Sequence, residues 1–475
     1  MILKWLSAVR LNKYGYLKKS SYKERDDAKV LIHALFVRRS IVNKQVKLTD
    51  YDSLQQCIDV NNHAERLEIV VPTGTYLTGP IDLRANLTIT LEKGAVLKFK
   101  DDPNLYPPVW TRWEGIECYA MHPLIFAQEK NNITIQGEGV IDGAGQAWWD
   151  KFEQIKQEDR TTPRYAYEKR LAVLNTGYRE QTGGGGRRST QFLRPPLLQI
   201  WKCQHFTLKG VTLRNSPWWT FHMVYSQDIR IENVHFNNPA DAINTDAMDI
   251  DSSKDVTVTG CLINVGDDGV TLKSGSGPSA QAIGIPTENV RVSHCRILSS
   301  MGGIAIGSET AAGVKNLTVN DCVFTGTQRA VRLKTRRGRG GTIQGIHLRN
   351  LKMDRCWCPV ALQMYFASEV GVDEVKQILS LEPQPVTAQT PHIQDVEIEK
   401  IEATNVRCVA AFIVGLPEAK IKNVKIDDFK WQLAAANDLL PLDEAEKTGG
   451  TIHVKQRGIN TINVSNLYVN GHLFN

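Results

Sequence analysis

Aspartates are concentrated in one short stretch of this 475-residue chain, at positions 246, 249, 251, 267 and 268. Asp246 and Asp267 are 21 residues apart, roughly one unit of the repeat described below, so their side chains could lie side by side. Carboxylates held together repel, which raises the pKa of one member, and the protonated member can act as an acid. The pattern predicts a cluster for general acid–base hydrolysis. The alternative is that Asp and Gly simply occupy bends between strands.

A second group of candidate residues is basic and lies between positions 329 and 339. Arg332 and Lys334 are two residues apart, so on a strand they share one face. The arginine can form two parallel hydrogen bonds to a carboxylate, while the lysine acts as a compact charge. This pair favours an anionic substrate. The alternatives are a solvated strand edge and an RNA-binding Arg-Gly segment at residues 337–341.

The distribution of charge argues against nucleic acid as a partner. Residues 1–45 carry eleven Lys and Arg against three Asp and Glu, which leaves 46 of the 57 basic and 48 of the 51 acidic residues for positions 46–475. A nearly neutral body with no aromatic residues beside the Arg-Gly segment is not typical of nucleic-acid-binding proteins. We expect residues 1–45 to be an amphipathic or poorly ordered basic appendage, followed by a single catalytic domain over residues 46–475.

Other features of the sequence concern the compartment. The sequence contains no run of 18 apolar residues, so no membrane span is expected. The N-terminal segment lacks the uninterrupted apolar core and the cleavage site of a secretory signal. A cytoplasmic location is the default expectation, and secretion is the alternative if the N-terminus is mis-assigned. The nine cysteines are scattered, and we expect them to be reduced and buried.

A weak repeat runs through most of the chain. Its unit is an apolar-x-apolar run followed by Gly, Asn or Asp and a second alternating run. Units of strands and turns, with no helical pattern of about 10–15 residues between them, predict stacked coils rather than βαβ units. The expected fold is all-β, a parallel β-helix in which each coil buries its apolar face on the next. The runs begin at Ile133, Phe206, Ile229, Val256, Val290, Leu317, Ile346, Val396, Val424 and Ile462.

Three short motifs follow one another along these coils. They are Asn244-Thr245-Asp246, Gly266-Asp267-Asp268 and Arg332-Leu333-Lys334. Together they resemble the signature motifs of the polygalacturonases, glycoside hydrolase family 28, in the order in which that family carries them. Ile306-Gly307-Ser308-Glu309 resembles the bacterial branch of the family. The segments at residues 71–76, 137–143 and 215–218 also resemble the family.

The resemblance implies a fold and a reaction. The fold is a right-handed parallel β-helix, and the reaction is cleavage of the α-galacturonide linkages of pectin with inversion. Asp267 is implied to be the general acid, while Asp246 and Asp268 would activate the attacking water. No metal and no cofactor are expected.

The resemblance also implies which residues bind the substrate. Arg332 and Lys334 would hold the galacturonate carboxylate at the point of cleavage, and Tyr365 would help to bind the sugar. Asn244 would support the acidic cluster. The expected partner is an anionic pectic oligo- or polysaccharide.

Two departures from the family pattern leave alternatives open. Where the family carries a histidine between two glycines, this chain has Ser300-Met301-Gly302, which makes a rhamnogalacturonan-type hydrolase of the same family an alternative. The usual glycine-rich opening of the first coil is also missing. A pectate-lyase-like enzyme and a non-catalytic β-helical pectin-binding protein are further alternatives. Exo action is favoured over endo action, because long loops at residues 150–195 and 369–391 could close one end of a cleft.

Overall fold

Short strands separated by bends make up most of the chain. The computed structural model describes residues 43–177, 188–367 and 372–474. Alternating apolar residues such as Leu67, Ile69 and Val71 turn one face of a strand inward, where they are buried. The strands, in chain order, are β1 Asn43–Lys47, β2 Arg66–Val71, β3 Gly74–Thr78, β4 Ile81–Asp82, β5 Leu87–Leu91, β6 Ala95–Phe99, β7 Pro108–Trp113, β8 Ile116–Met121, β9 Ile125–Gln128, β10 Asn131–Gly137, β11 Val140–Asp142, β12 Leu198–Trp201, β13 Gln204–Lys209, β14 Thr212–Arg214, β15 Phe221–Val224, β16 Gln227–Glu232, β17 His235–Asn237, β18 Met248–Asp251, β19 Lys254–Thr259, β20 Leu262–Val265, β21 Val270–Lys273, β22 Thr287–Ser293, β23 Arg296–Ser299, β24 Gly302–Ile306, β25 Val314–Asn320, β26 Val323–Thr325, β27 Arg329–Lys334, β28 Thr342–Asp354, β29 Cys358–Gln363, β30 His392–Val406, β31 Ala411–Val414, β32 Ile421–Leu433, β33 Ile459–Ile462, β34 Val464–Val469 and β35 His472–Leu473.

Helices are short and lie between the strands. Helix α1 begins after Ser53, whose side chain accepts a hydrogen bond from the Gln56 backbone N–H, and it buries Leu54, Cys57 and Ile58. The described α-helices are α1 Leu54–Val60, α2 Gln146–Gln157, α3 Ala166–Leu174, α4 Gly277–Ile283 and α5 Val372–Ile378. Short 3₁₀ helices lie at Leu48–Asp50, Pro103–Leu105, Arg188–Thr190, Ala436–Asp438 and Leu442–Ala445.

The repeat inferred from the sequence is confirmed as a column of parallel strands. Nine of the ten predicted starting residues pair with one another in register, from Ile133 on β10 to Val424 on β32. The tenth prediction is wrong, because Val424 pairs with Leu467. Ile462 instead ends β33 and pairs with Val414 in a different sheet. The chain is therefore a right-handed parallel β-helix, as expected.

A separate sheet of eleven parallel strands forms one face of the solenoid. In spatial order it consists of β4, β9, β12, β15, β18, β21, β24, β27, β29, β31 and β33. Residues on both faces of its central strands are buried, as in β18, β21 and β27. One face of these strands packs in the coil interior. The other face is therefore covered by loops and side chains, and the site described below lies there.

The expectation that no helical segment interrupts the coils is wrong for one insertion. Between Ile133 and Phe206 the chain forms α2 and α3, where the sequence analysis expected a loop at residues 150–195. The buried side chains of Trp148 and Ile155 lie on one side of α2, and Tyr167 and Leu171 lie on one side of α3. The helices pack these apolar faces on the solenoid.

The proposed domain boundary between residues 45 and 46 falls inside a strand. Residues 43–47 form β1, which pairs in parallel with β2, while residues 1–42 lie outside the described residues. All nine cysteines are described, free and buried. Within the described ranges, no helix has the length and apolarity needed to cross a membrane.

The stacked interior predicts a large loss of stability on truncating an inward-facing side chain. Ile250 is 0% exposed on β18, between Met223 and Leu272 of the neighbouring coils. Ile250→Ala should lower the free energy of unfolding by about 2–5 kcal/mol, measured by urea denaturation. Leu262→Ala on the outer face of β20, where the side chain is 39% exposed, should change it by less than about 0.5 kcal/mol. Equal losses would contradict the assigned interior.

Candidate active site

Register brings the two acidic motifs together on adjacent coils. Met248 pairs with Val270, so two residues earlier Asp246 lies beside Asp268, and the Ala247 N–H donates to the Asp268 carbonyl at 3.0 Å. Asp267 is next to Asp268 in the chain and therefore lies in the same cluster. The sequence spacing suggested that Asp246 would face Asp267, and the structure shifts this pairing by one residue.

The three catalytic candidates form one cluster. One carboxylate oxygen from each of Asp246, Asp267 and Asp268 lies within 4.8 Å of the other two. Asp246 and Asp268 are buried, and Asp267 is partly exposed to a cavity that all three line. Within the described residues this is the group whose oxygens could hold a metal ion, although Lys334 already places a cation beside Asp268.

Electrostatics divide the cluster into protonated and ionised members. Burial and the neighbouring Asp268 raise the pKa of Asp267 to about 6. Burial together with Asp249 and Asp267 raises the pKa of Asp246 well above its usual value. Burial also opposes ionisation of Asp268, but Lys334 and Arg332 outweigh it and lower its pKa. The cluster therefore holds a dissociable proton next to an ionised carboxylate.

Asp268 is fixed by contacts from two later coils. Its Oδ2 accepts from the Lys334 ammonium at 2.6 Å, and its Oδ1 accepts from the Gly302 backbone N–H at 2.7 Å. A Cβ on Gly302 would lie 2.7 Å from that same Oδ1, so only glycine permits this approach. These contacts hold the ionised carboxylate in one orientation.

Arg332 is bound to a carboxylate of the protein itself. Its Nε and Nη2 donate to the two Glu446 oxygens at 3.0 and 2.5 Å, while Nη1 lies 3.8 Å from Asp268. Arg332 is 2% exposed. The sequence analysis missed Glu446, which lies in a loop 114 residues away along the chain, because nothing in its local pattern marks it.

A second ion pair lines the cavity and was also missed. Lys273 donates to Glu309 at 2.8 Å, and its Nζ lies 4.6 Å from the centre of the Trp219 ring. Asp249, directly beneath, is fully buried and 3.7 Å from the same ammonium, and burial raises its pKa well above the usual value. Glu309 ends the Ile-Gly-Ser-Glu phrase, so its position could have been flagged from the sequence.

Asn244 lines the cavity. Its Oδ1 accepts from the buried Arg194 at 2.9 Å, and Arg194 also donates to the carbonyls of Pro217 and Ile243. The insertion that carries α2 and α3 supplies Arg194, so this insertion helps to hold Asn244 in place.

The cavity is lined by residues outside the loops expected from the sequence. Glu114, at the tip of the β7–β8 hairpin, lines one side together with Trp219, while Phe366, Met301 and Lys447 also line the cavity. Of the expected loops at residues 150–195 and 369–391, none of the described residues lines the cavity. The hairpin itself is anchored through Arg112 to Asp251 at 2.7 Å and through Trp113 to the Arg194 carbonyl at 3.2 Å.

Tyr365 lies apart from the cavity. Its side chain is 0% exposed within the core, and the Arg337 guanidinium lies 5.6 Å from its ring centre. Arg336 and Tyr365 form an isolated antiparallel bridge outside the regular strands. The neighbouring Phe366 lines the cavity instead, with its ring centre 5.1 Å from the Lys334 ammonium.

The Arg-Gly segment is buried rather than offered to a partner. Arg336, Arg337 and Arg339 are 4%, 6% and 2% exposed, and Arg337 pairs with Glu418 at 2.6 Å. The adjacent tryptophan pairs Trp148–Trp149 and Trp218–Trp219 are likewise buried. Of these four residues, Trp219 lines the site cavity.

The fold and this acidic cavity match one family. The model of the glycosyl hydrolases family 28 matches residues 62–176 and 177–435. The chain therefore belongs to glycosyl hydrolase family 28, and it is a glycosidase.

Its relatives include plant and bacterial proteins. The chain is 26% identical over 381 residues to a probable polygalacturonase of Vitis vinifera, covering 79% of this chain and 68% of that one. It is 26% identical over 397 residues to an endo-polygalacturonase of Pectobacterium carotovorum subsp. carotovorum, covering 79% and 84%. The crystal structure of a hyperthermoactive exopolygalacturonase from Thermotoga maritima superimposes with a TM-score of 0.69 at 26% identity, covering 91% of this chain and 93% of that one.

The raised pKa of Asp267 predicts a pH-dependent gain in stability when its charge is removed. The native carboxyl holds its proton up to about pH 6, while the unfolded one loses it near 3.8, so this group lowers stability as pH rises through that window. Asp267→Asn should therefore be more stable than the parent by about 1–2 kcal/mol above pH 6 and show no gain near pH 4. Urea denaturation from pH 4 to 7 measures this. The exposed Asp101→Asn is the control, and an equal or pH-independent gain in both variants would contradict the assignment.

Proposed function

We propose that the protein hydrolyses α-linked galacturonides of pectin with inversion at the anomeric carbon. The observation that carries the proposal is the pairing of a carboxyl of pKa about 6, Asp267, with an ionised carboxylate, Asp268, in one cavity. Hydrolysis needs both a proton donor and a proton acceptor. The polygalacturonase relatives support galacturonide as the substrate.

In the proposed reaction Asp267 protonates the leaving glycosidic oxygen. A water bound between Asp246 and Asp268 loses a proton to this pair while its oxygen attacks the anomeric carbon from the opposite side. The bond to the leaving sugar breaks, and a β-hemiacetal replaces the α-linkage. Oxygens within 4.8 Å of each other can share one water at hydrogen-bond distance from both.

The three carboxylates form a tight cluster. Inverting glycosidases generally separate the acid and base carboxyls by about 6.5–9.5 Å. The nearest oxygens here are within 4.8 Å, because Asp246 and Asp268 are direct neighbours in register and Asp267 adjoins Asp268. In the proposed mechanism the water is therefore held by the two neighbouring carboxylates on one side of the cluster.

Lys334 is the proposed contact for the substrate carboxylate next to the cleaved bond. It lines the cavity, and its ammonium uses one contact for Asp268, while an ammonium carries three donors. Arg332 would act indirectly, since Glu446 occupies its guanidinium. Its charge keeps Asp268 ionised, and Asn244 supports the cluster through Arg194. For Tyr365 we propose a supporting role beneath Phe366 rather than direct contact with the sugar.

A direct assay tests the proposed reaction. The protein should release new reducing ends from trigalacturonate without the ultraviolet absorbance of an unsaturated product, because water is added across the bond. Rhamnogalacturonan oligosaccharides run in parallel test the alternative substrate. An absorbance rise would indicate elimination. The absence of new reducing ends from both substrates would support the non-catalytic pectin-binding alternative.

Removing the acid should lower turnover strongly and change the pH profile. We expect Asp267→Asn and Asp246→Asn each to lower kcat by at least about 100-fold, the usual contribution of one general acid or base. With the pKa of Asp267 raised to about 6, kcat/KM of the parent should fall as pH rises above about 6, because the acid loses its proton. Asp249→Asn, which lies beneath the cavity, should lose far less activity. Near-normal activity of Asp267→Asn would contradict its role.

Inversion is testable through the first product. A proton NMR time course on trigalacturonate should show the β-anomer first, with the α-anomer appearing only at the rate of spontaneous mutarotation. A first-formed α-anomer would show retention instead, which would be consistent with the short carboxylate distance.

We further propose exo action, on a structural basis different from the one expected from the sequence. The β7–β8 hairpin places Glu114 at one end of the cavity. Asn175, directly after α3, supports the hairpin, because its side chain accepts from the Tyr119 N–H at 2.9 Å and donates to the Tyr119 carbonyl at 2.8 Å. A wall of this kind would admit only a chain end.

Exo action predicts that monogalacturonate is the main product from polygalacturonate at every stage. Viscosity should then fall slowly relative to the release of reducing ends, because internal bonds stay intact. A hairpin shortened by replacing residues 110–119 with a two-residue Asn-Gly turn should release longer oligomers. Early release of long oligomers by the parent protein would contradict exo action whether or not the shortened variant folds.

A further inference from the structure

The cations that line the cavity differ in one respect, which is whether the protein already supplies each with an anion. Arg332 is paired with Glu446, Lys334 with Asp268, and Lys273 with Glu309. Lys447 lines the same cavity, yet it forms no ion pair with any carboxylate of the described residues. Its ammonium lies 3.9 Å from the Met301 sulfur.

Two opposing effects act on the Lys447 charge. Partial burial and the nearby Arg332 and Arg329 lower its pKa, while Asp267 and Glu446 act in the opposite direction. A cation among other cations has an unfavourable environment that an added anion would relieve. The side chain is solvent-exposed at the rim, so a ligand can reach it.

The backbone that leads into Lys447 is anchored by the three residues before it. Arg329 donates to the carbonyls of Glu444 and Ala445 at 2.6 and 3.0 Å, and Glu446 grips Arg332 with both oxygens. The Lys447 N–H itself donates to Glu446 at 2.8 Å. Only the flexible side chain is therefore left to order when a ligand binds, which lowers the entropic cost of the contact.

We propose that Lys447 is a specificity-determining residue that binds a carboxylate of the substrate at the rim of the cavity. The inference rests on the proposed function, since it assigns this lysine to a uronate unit of the same substrate. The partner is a singly charged carboxylate on a sugar, because Asp267 and Glu446 act on the same ammonium and would repel a doubly charged group more strongly. The loop at residues 436–450 thus contributes two opposite functions. Glu446 binds Arg332, and Lys447 leaves its charge for the substrate.

The test compares charged and neutral forms of one substrate. Lys447→Met should raise KM for trigalacturonate by about 10-fold or more, with a much smaller change for its methyl ester, which lacks the charge. Lys447→Arg should restore most of the loss. Lys455→Met, an exposed lysine further along the same segment, is the matched control and should leave both KM values unchanged.

A binding experiment separates failure of this inference from failure of the proposed function. Titration calorimetry should show that galacturonate binds the parent more tightly than neutral galactose does, and that Lys447→Met reduces this difference, the remainder being due to Lys334. If the parent binds galacturonate through Lys447 but hydrolyses nothing, the proposed function fails and the contact stands. If Lys447→Met keeps the full preference for the acid, or lowers kcat and shifts the alkaline limb of the pH profile at unchanged KM, the carboxylate contact is wrong.

Discussion

The need to hold three carboxylates within 4.8 Å of one another governs the arrangement around the site. Two unit charges at that distance repel by about 3 kcal/mol at an effective dielectric of about 20, which corresponds to about two pKa units. That is enough to keep a proton on the cluster near pH 6, where Asp267 titrates. The same repulsion would protonate Asp268 as well if Lys334 and Arg332 did not lower its pKa. The difference in pKa between Asp267 and Asp268 thus depends on these two cations.

The cations depend in turn on distant parts of the chain. Arg332 carries a buried positive charge beside Lys334, and two cations on one strand face repel each other. Glu446 compensates for this repulsion by forming an ion pair with Arg332. The pKa of Glu446 falls to about 2 because Arg332 and Arg329 outweigh the effect of its burial. A buried ion pair of this kind contributes little net stability, but losing one partner is costly. The loop that carries Glu446 is therefore part of the site's electrostatics and also brings Lys447 to the rim.

The solenoid explains how such distant residues meet. Each coil places one residue at the same position above the last, so Asp246, Asp268 and Gly302 follow one another although 22 and 34 residues separate them. Insertions between coils then build the walls. The β7–β8 hairpin lies over the early coils and is supported by the insertion that contains α2 and α3, while the loop at residues 436–450 lies over β27 and β29. The family relationship covers most of the solenoid, whereas these insertions can vary without disturbing the stacking.

The sequence by itself determined the coil, because an apolar residue that recurs once per unit can be buried only by stacking. Nine of the ten predicted starting residues stack in register. This stacking brings the three aspartates, which lie in the bends before β18 and β21, close to the Arg332–Lys334 face of β27. The sequence did not determine the helices α2 and α3, the wall of the cavity, or the placement of Tyr365 within the core. Nor did it determine the partners Glu446, Lys273 and Arg194. Those contacts join residues far apart in the chain, and their distances depend on how loops pack over the coils. No local pattern encodes that packing, so only the tertiary structure decided which of the cavity cations pair with a carboxylate of the described residues.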